Sequence, residues 1–356
     1  MLAQANHCDS ARKNRTVHVM ERPLFPRKTP QMPGNGSNPA LRIALPDGGW
    51  QGSQGLLKPM ERRMSTVHFA RATILSLFAA LTCDFAQAQE GPLKPFKDDL
   101  FTPIIMDRRD SGDFERVDYQ ELRDINARDE EPERRVKRRY VDLSARKAEA
   151  LETWNLPTGP LELGRVGPMA NSAFSVIFIH GRDGDRRLAM NDYRFGGNFN
   201  RLKNLAVLNG GTFYAPSVKT FDTAGAASIS ALIAEISTRS PGRPVILTCA
   251  SMGSFLCWGI SRDAGAVSKL KGMAILGGAT DPDYSKSAAY KARLPVWFTH
   301  GGNDKTYKAE DQIALYEKLH GAGQPVRFTL FETGSHGTPV RMTDWRAVLN
   351  WILTKK

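Results

Sequence analysis

The sequence predicts an α/β protein: an open, mostly parallel twisted sheet with helices on both faces and no large cap domain. Two observations carry this. From about residue 171 onward, short apolar runs alternate with segments of helical period, the arrangement that repeated β-α units produce. The run at 173–180 is also apolar apart from Ser175 and the closing His180, as strands covered on both faces are and half-solvated strands are not, and 244–250 reads as a second buried strand.

The elements follow in order. Strands are expected at 173–180, 212–218, 244–250, 272–277, 295–299 and 326–332. Helices are expected at 199–208, 224–237, 252–260 and 308–320, with a single amphipathic helix over 341–353 closing the chain. The stretch 89–170 is charge-dense. Its patterning suggests half-exposed strands at 113–119 and 135–143 and a short helix at 145–153, with the acidic run Asp129-Glu130-Glu131 and the basic residues after it forming a solvated face.

At 356 residues with 41% hydrophobic and 24% charged side chains, the chain has the composition of a globular protein and not of a fibre or a membrane bundle. Its formal charge of +12 is no argument for nucleic acid, because half of it sits in residues 1–63. That segment is rich in Pro, Gly and Asn and has no apolar period, so it is expected to be a non-native or disordered extension. Residues 64–88 read as a signal peptide: a basic start, the apolar run 72–83 and the cleavage pattern Ala86-Gln87-Ala88. The apolar run is too short to span a bilayer. A periplasmic or secreted protein is therefore expected, without stable membrane insertion once the signal is cleaved, and with the α/β domain over 89–356. The mature chain keeps Cys249 and Cys257, whose spacing is not expected to meet disulfide geometry. No residue cluster has metal-ligand spacing, so neither metal nor cofactor is expected.

In open parallel sheets, chemistry gathers at the carboxyl ends of the strands. Three ends are loaded here. After the strand at 244–250 comes Cys249-Ala250-Ser251-Met252-Gly253, a small-x-Ser-x-Gly turn that would lift a serine hydroxyl above the sheet. Asp304 follows the strand at 295–299, and His336 lies in a glycine-flanked loop after the last strand. Over about residues 130–356 this Ser, Asp, His order resembles the α/β-hydrolase superfamily, and within it the short lidless esterases of the phospholipase/carboxylesterase type. Cys249 departs from the family pattern, which usually has glycine there.

The resemblance implies Ser251 as nucleophile, His336 as base and Asp304 as acid, with Asp281 or Asp283 as fallback acids. It further implies an oxyanion hole from the backbone N–H groups of Met252 and Arg182. Tyr193, Phe195 and Phe199 are expected to wall the pocket, and His300 to pack beneath it. The expected substrate is a small-molecule ester; a thioester or amide, or a non-catalytic binding role, stays open, as does the oligomeric state, and no nucleic-acid partner is expected.

This mechanism requires a neutral histidine to accept the serine proton, and ordinary histidines titrate near ~6.5. Activity, as kcat/KM, should rise through about pH 6 to 7.5 and then level off. It should also survive EDTA. Loss of activity to the chelator and its return with zinc would assign the reaction to metal-activated water instead.

Overall fold

The computed structural model describes residues 91–130 and 134–355. The extension expected at 1–63 and the signal peptide expected at 64–88 lie outside these residues. Strands β1 (Ile105–Arg109) and β2 (Phe114–Val117) come first, then a two-stranded ribbon of β3 (Asp129–Glu130) and β4 (Arg135–Val136), and a hairpin of β5 (Glu149–Leu156) and β6 (Gly159–Val166). The alternating part runs β7 (Ser175–Ile179), α1 (Arg186–Met190), α2 (Asn198–Leu208), β8 (Thr212–Pro216), α3 (Thr223–Arg239) and β9 (Val245–Ala250). It continues α4 (Ser254–Ile260), α5 (Ala264–Val267), β10 (Leu270–Leu276), α6 (Ala288–Lys291), β11 (Val296–Gly301), α7 (Ala309–Gly321), β12 (Val326–Phe331), α8 (Thr338–Met342) and α9 (Trp345–Thr354).

The large sheet has the order β1-β2-β12-β11-β10-β9-β7-β8-β6-β5. Every neighbour pair from β2 to β8 is parallel. Strand β1 at one edge and the β5–β6 hairpin at the other are antiparallel. The chain leaves β7 for β8 on one side and returns to β9 on the other, so the order reverses between β7 and β9. A crevice opens at such a reversal, outside the carboxyl ends of the two strands. All residues of β7 and β9 are buried, as strands covered on both faces must be.

Helices supply that cover. Ile229, Leu232, Ile233 and Ile236 of α3, Leu256 of α4 and Tyr316 and Leu319 of α7 form one apolar layer with the sheet. Phe199, Leu202 and Leu205 of α2 and Trp345, Leu349 and Ile352 of α9 form the other. Asp222 and Asp344 cap α3 and α9 by accepting from backbone N–H groups of the first turn. Between β10 and β11 the chain holds only a 3₁₀ turn and the four-residue α6, so no cap domain is inserted there.

The N-terminal region differs from expectation. The segment at 145–153 is not a helix: a 3₁₀ turn ends at Ala148 and β5 follows. Trp154 and Leu156, two apart, face the core while their neighbours face solvent, and pairing along the whole of β6 fixes the extended form. The strand expected over 135–143 is confined to Arg135–Val136 and gives way to a turn at Arg138–Tyr140. Residues 113–119 contribute β2, which extends the main sheet beside β12 through the buried Phe114 and Val117. Asp129 is buried rather than part of a solvated face. The closing helix is two helices, because Thr343 leaves helical geometry and the Asp344 side chain starts a new first turn.

One ion pair fastens the loop after β7. Lys203 of α2 is 1% exposed and Asp192 is 2% exposed, and Lys203 Nζ lies 2.7 Å from Asp192 Oδ1. Asp192 also accepts from Arg146 and from Asn200. A buried charge stripped of its partner is costly, so Asp192→Ala should lower unfolding free energy by about 3–5 kcal/mol in urea titrations. A loss below about 1 kcal/mol would show that Glu149, whose Oε2 already lies 3.6 Å from Lys203 Nζ, or water takes over the charge.

Candidate active site

The site is built at the crevice between β7 and β9. Ala250 ends β9 in extended geometry, and Ser251 then takes φ +53°, in the left-handed region, before the turn enters α4. A residue with a Cβ is held in such a conformation only at a cost of roughly 1–3 kcal/mol. Two close approaches determine what can flank it. A Cβ on Gly253 would lie 2.7 Å from the His180 carbonyl oxygen, and one on Gly181 would lie 2.8 Å from Ser251 Cβ. Glycine at both places lets the turn press onto the end of β7.

Cys249 and Cys257 form a disulfide, with Cα atoms 6.3 Å apart, which corrects the expectation drawn from their spacing. The sharp turn at Ser251 reverses the chain, so α4 runs back beside β9 and brings the two cysteines within bridging range.

His336 Nε2 lies 2.8 Å from Ser251 Oγ, and His336 Nδ1 lies 2.8 Å from Asp304 Oδ2. Asp304 follows β11, and its side chain is fully buried. Its Oδ1 accepts from the N–H groups of Thr306 and Tyr307 at 2.7 and 3.1 Å. Burial opposes ionisation of this carboxyl, but hydrogen bonds from His300, His336 and those two N–H groups outweigh it and hold the carboxyl well below the ordinary carboxylate range. Asp281 pairs instead with Arg262, and Asp283 with Lys286.

Beside Ser251 lies a cavity of about 360 Å³. Phe178, Leu188, Phe195, Leu276 and Val340 give it an apolar wall, and Thr306, Tyr307 and Arg182 share the polar end with Ser251 and His336. Of the three aromatics expected there, Phe195 lines the cavity. Phe199 does not: it is fully buried one layer behind, edge-on to Phe178 and Phe195. Tyr193 also lies off the wall, with its carbonyl bound by the Val136 N–H and the Arg135 guanidinium over its ring. The sequence reading did not single out Tyr307, whose ring centroid is 5.8 Å from that of His336.

Met252 and Arg182 both line the cavity beside Ser251. His180 orders the loop that carries Arg182. Its Nε2 accepts from the Val218 N–H at 2.9 Å, so its Nδ1 carries the proton and donates to the Gly181 carbonyl at 2.7 Å. In a trans peptide the N–H points opposite to the C=O, so the Arg182 N–H is turned away from that ring. Burial pushes His180 below the ordinary histidine value, against its bond to Gly181, in keeping with a neutral anchor.

A sheet whose order reverses at β7 and β9, with a left-handed serine at the reversal between strand and helix, decides the architecture. The fold is that of the α/β hydrolases. No family model and no curated protein matches the chain. Similar solved structures include a thermostable esterase, at 17% identity over 58% of this chain and 63% of that one, with a TM-score of 0.46. An α/β serine hydrolase without lid from Xanthomonas campestris is 18% identical over 58% of this chain and 93% of that one, with a TM-score of 0.42. An acylaminoacyl peptidase from Pyrococcus horikoshii is 14% identical over 58% of this chain and 41% of that one, with a TM-score of 0.44. The α/β-hydrolase assignment rests on the sheet order and the serine turn and not on these likenesses.

Because the folded Asp304 carboxyl titrates below its unfolded value of ~3.9, its contribution to stability is complete above that value and is lost as the pH falls through the folded one. Asp304→Asn should thus unfold at lower urea than the parent at pH 7, and the gap should narrow below about pH 4. A gap that is constant with pH would mean that the carboxylate charge contributes nothing.

Proposed function

We propose that the protein is a serine hydrolase that cleaves carboxylic esters through an acyl-enzyme on Ser251. The observation that carries the reading is the unbroken relay from Ser251 Oγ to His336 to Asp304, both links at 2.8 Å. His336 takes the serine proton as Oγ attacks the acyl carbon, and Asp304 fixes the ring tautomer and stabilises the imidazolium that forms. The negative charge that develops on the acyl oxygen is met by the N–H groups of Met252 and Arg182. Collapse of this tetrahedral intermediate breaks the ester C–O bond, and the alcohol leaves with the proton from His336. Water, activated by the same histidine, then attacks the acyl-enzyme, and the acid departs as His336 returns the proton to Ser251 Oγ. The apolar wall around Phe178, Phe195 and Val340 suits an acyl or alcohol group of moderate size. Thioesters and amides could pass through the same steps, since the acyl-transfer chemistry is shared.

Export to a periplasmic or extracellular compartment is part of the same proposal. Its support is the leader-like pattern at 64–88, together with the Cys249–Cys257 disulfide, a bond that persists in oxidising compartments. Sequencing the N-terminus of protein recovered from its native host tests this, and a mature chain that retains residues 64–88 would end it.

Ser251→Ala deletes one hydroxyl and should leave the fold intact while lowering kcat on chromogenic esters by at least ~10³. A fluorophosphonate should label the parent and not the variant. Near-normal turnover by the variant would remove Ser251 from the mechanism, and a parent that neither labels nor turns over would favour a binding role.

A further inference from the structure

His300 is the second residue on Asp304. It sits near the end of β11, fully buried, with its Nε2 3.3 Å from the same Oδ2 that holds His336. That nitrogen also faces the Tyr307 carbonyl oxygen at 3.0 Å, and Nδ1 faces Gln312 Oε1 at 2.6 Å. The Gln312 amide cannot be turned round, because its Nε2 donates to the Gly278 carbonyl at 3.0 Å; reversed, it would set oxygen against oxygen. Both ring nitrogens of His300 therefore face acceptors. A neutral imidazole has one N–H and one lone pair, so either tautomer would press a lone pair onto a carbonyl oxygen.

We propose that His300 is a positioning residue for the Ser251 reaction: an imidazolium at neutral pH, buried beside Asp304, that holds the carboxylate and offsets its charge at the same oxygen that meets His336. The surroundings fit. Among the described residues Asp304 is the charged group that acts on the ring; α7 presents the Gln312 amide, and β12 presents Leu330 in register with it. Burial alone would lower the titration of His300, but the bonds to Asp304, Gln312 and the Tyr307 carbonyl outweigh it and raise it above the ordinary histidine value. With His300 charged, Oδ2 accepts from His336 and lies 3.3 Å from the His300 cation, whose Nε2–H is directed to the Tyr307 carbonyl, while Oδ1 accepts from two backbone N–H groups. The carboxylate then has little freedom to rotate away from His336.

Nitrogen-15 NMR of the whole chain, labelled at histidine, reads the charge without any turnover. At pH 8, where an ordinary histidine (~6.5) is neutral, His300 should show two protonated ring nitrogens. Its signals are assigned by their loss in His300→Gln or, if that variant does not fold, by replacing the other histidines one at a time. A single protonated nitrogen overturns the proposal. The role in the reaction rests on the hydrolase reading and is tested by the pH profile of His300→Gln. Without the compensating cation, Asp304 acts on His336 with its full charge, and the acid limb of kcat/KM should move up by about one pH unit. An acid limb that stays in place, with activity reduced equally at every pH, overturns the positioning role. A doubly protonated His300 in a chain that hydrolyses no ester, thioester or amide would refute the hydrolase reading, and that role with it, while leaving the charge assignment intact.

Discussion

Ser251 occupies a backbone conformation that residues with a Cβ avoid, and the surrounding structure supplies what keeps it there. The constraint begins in the sheet. β9 is buried along its whole length and hydrogen-bonded to β7 and β10 on either side, so its end cannot drift. α4 must then start almost at once, because Gly253 rests against the carbonyl groups that end β7. Between a fixed strand end and a fixed helix start there is room for one reversed residue. The hydroxyl that results stands above the sheet, and the loops after β7, β11 and β12 are already directed to that point by the parallel topology.

Electrostatics completes what the backbone begins. Asp304 is removed from water, which would ordinarily favour its neutral form, yet three N–H donors converge on it and His300 Nε2 lies 3.3 Å from its Oδ2. A single oxygen shared by two histidines could leave both loosely held. The arrangement avoids this by making the partners unequal: His300 is locked by α7 and the Tyr307 carbonyl, while His336 lies at the cavity, partly open to solvent, and meets Ser251. One histidine is held on every side, and the other lies at the cavity against the serine hydroxyl.

Much of this was legible in the sequence, for physical reasons that also explain the rest. Strands such as 173–180 announce themselves because burial on both faces leaves few polar positions, and Ser251, Asp304 and His336 could be named as candidates because each follows a largely apolar strand. The β5–β6 hairpin was missed because the run Ala145-Arg-Lys-Ala-Glu-Ala150 has high helix propensity, and its extended form is imposed by pairing with a strand that the local pattern does not reveal. The break at Thr343-Asp344 was hidden for the opposite reason: both short helices share one apolar face, so the period runs through the cap. Tyr193 and Phe199 were placed by proximity in sequence to the loop after β7, whereas depth behind the wall is decided by α2, which carries Phe199 into the core. His300 was expected beneath the site, but its charge depends on the orientation of Gln312, a helix away.

Cys249 makes sense of the one departure from the expected elbow. The position two residues before the serine usually holds glycine in the fold family, since a larger side chain there competes for space with the turn. A free cysteine would add that bulk. In the disulfide, the sulfur of Cys249 is committed to Cys257 of α4, within the apolar layer that also contains Leu247 and Leu256. The side chain is thus directed into the interface between β9 and α4 and away from the serine. It joins the two elements whose relative placement sets Ser251, so a residue that would otherwise crowd the elbow instead ties the strand that ends there to the helix that begins there.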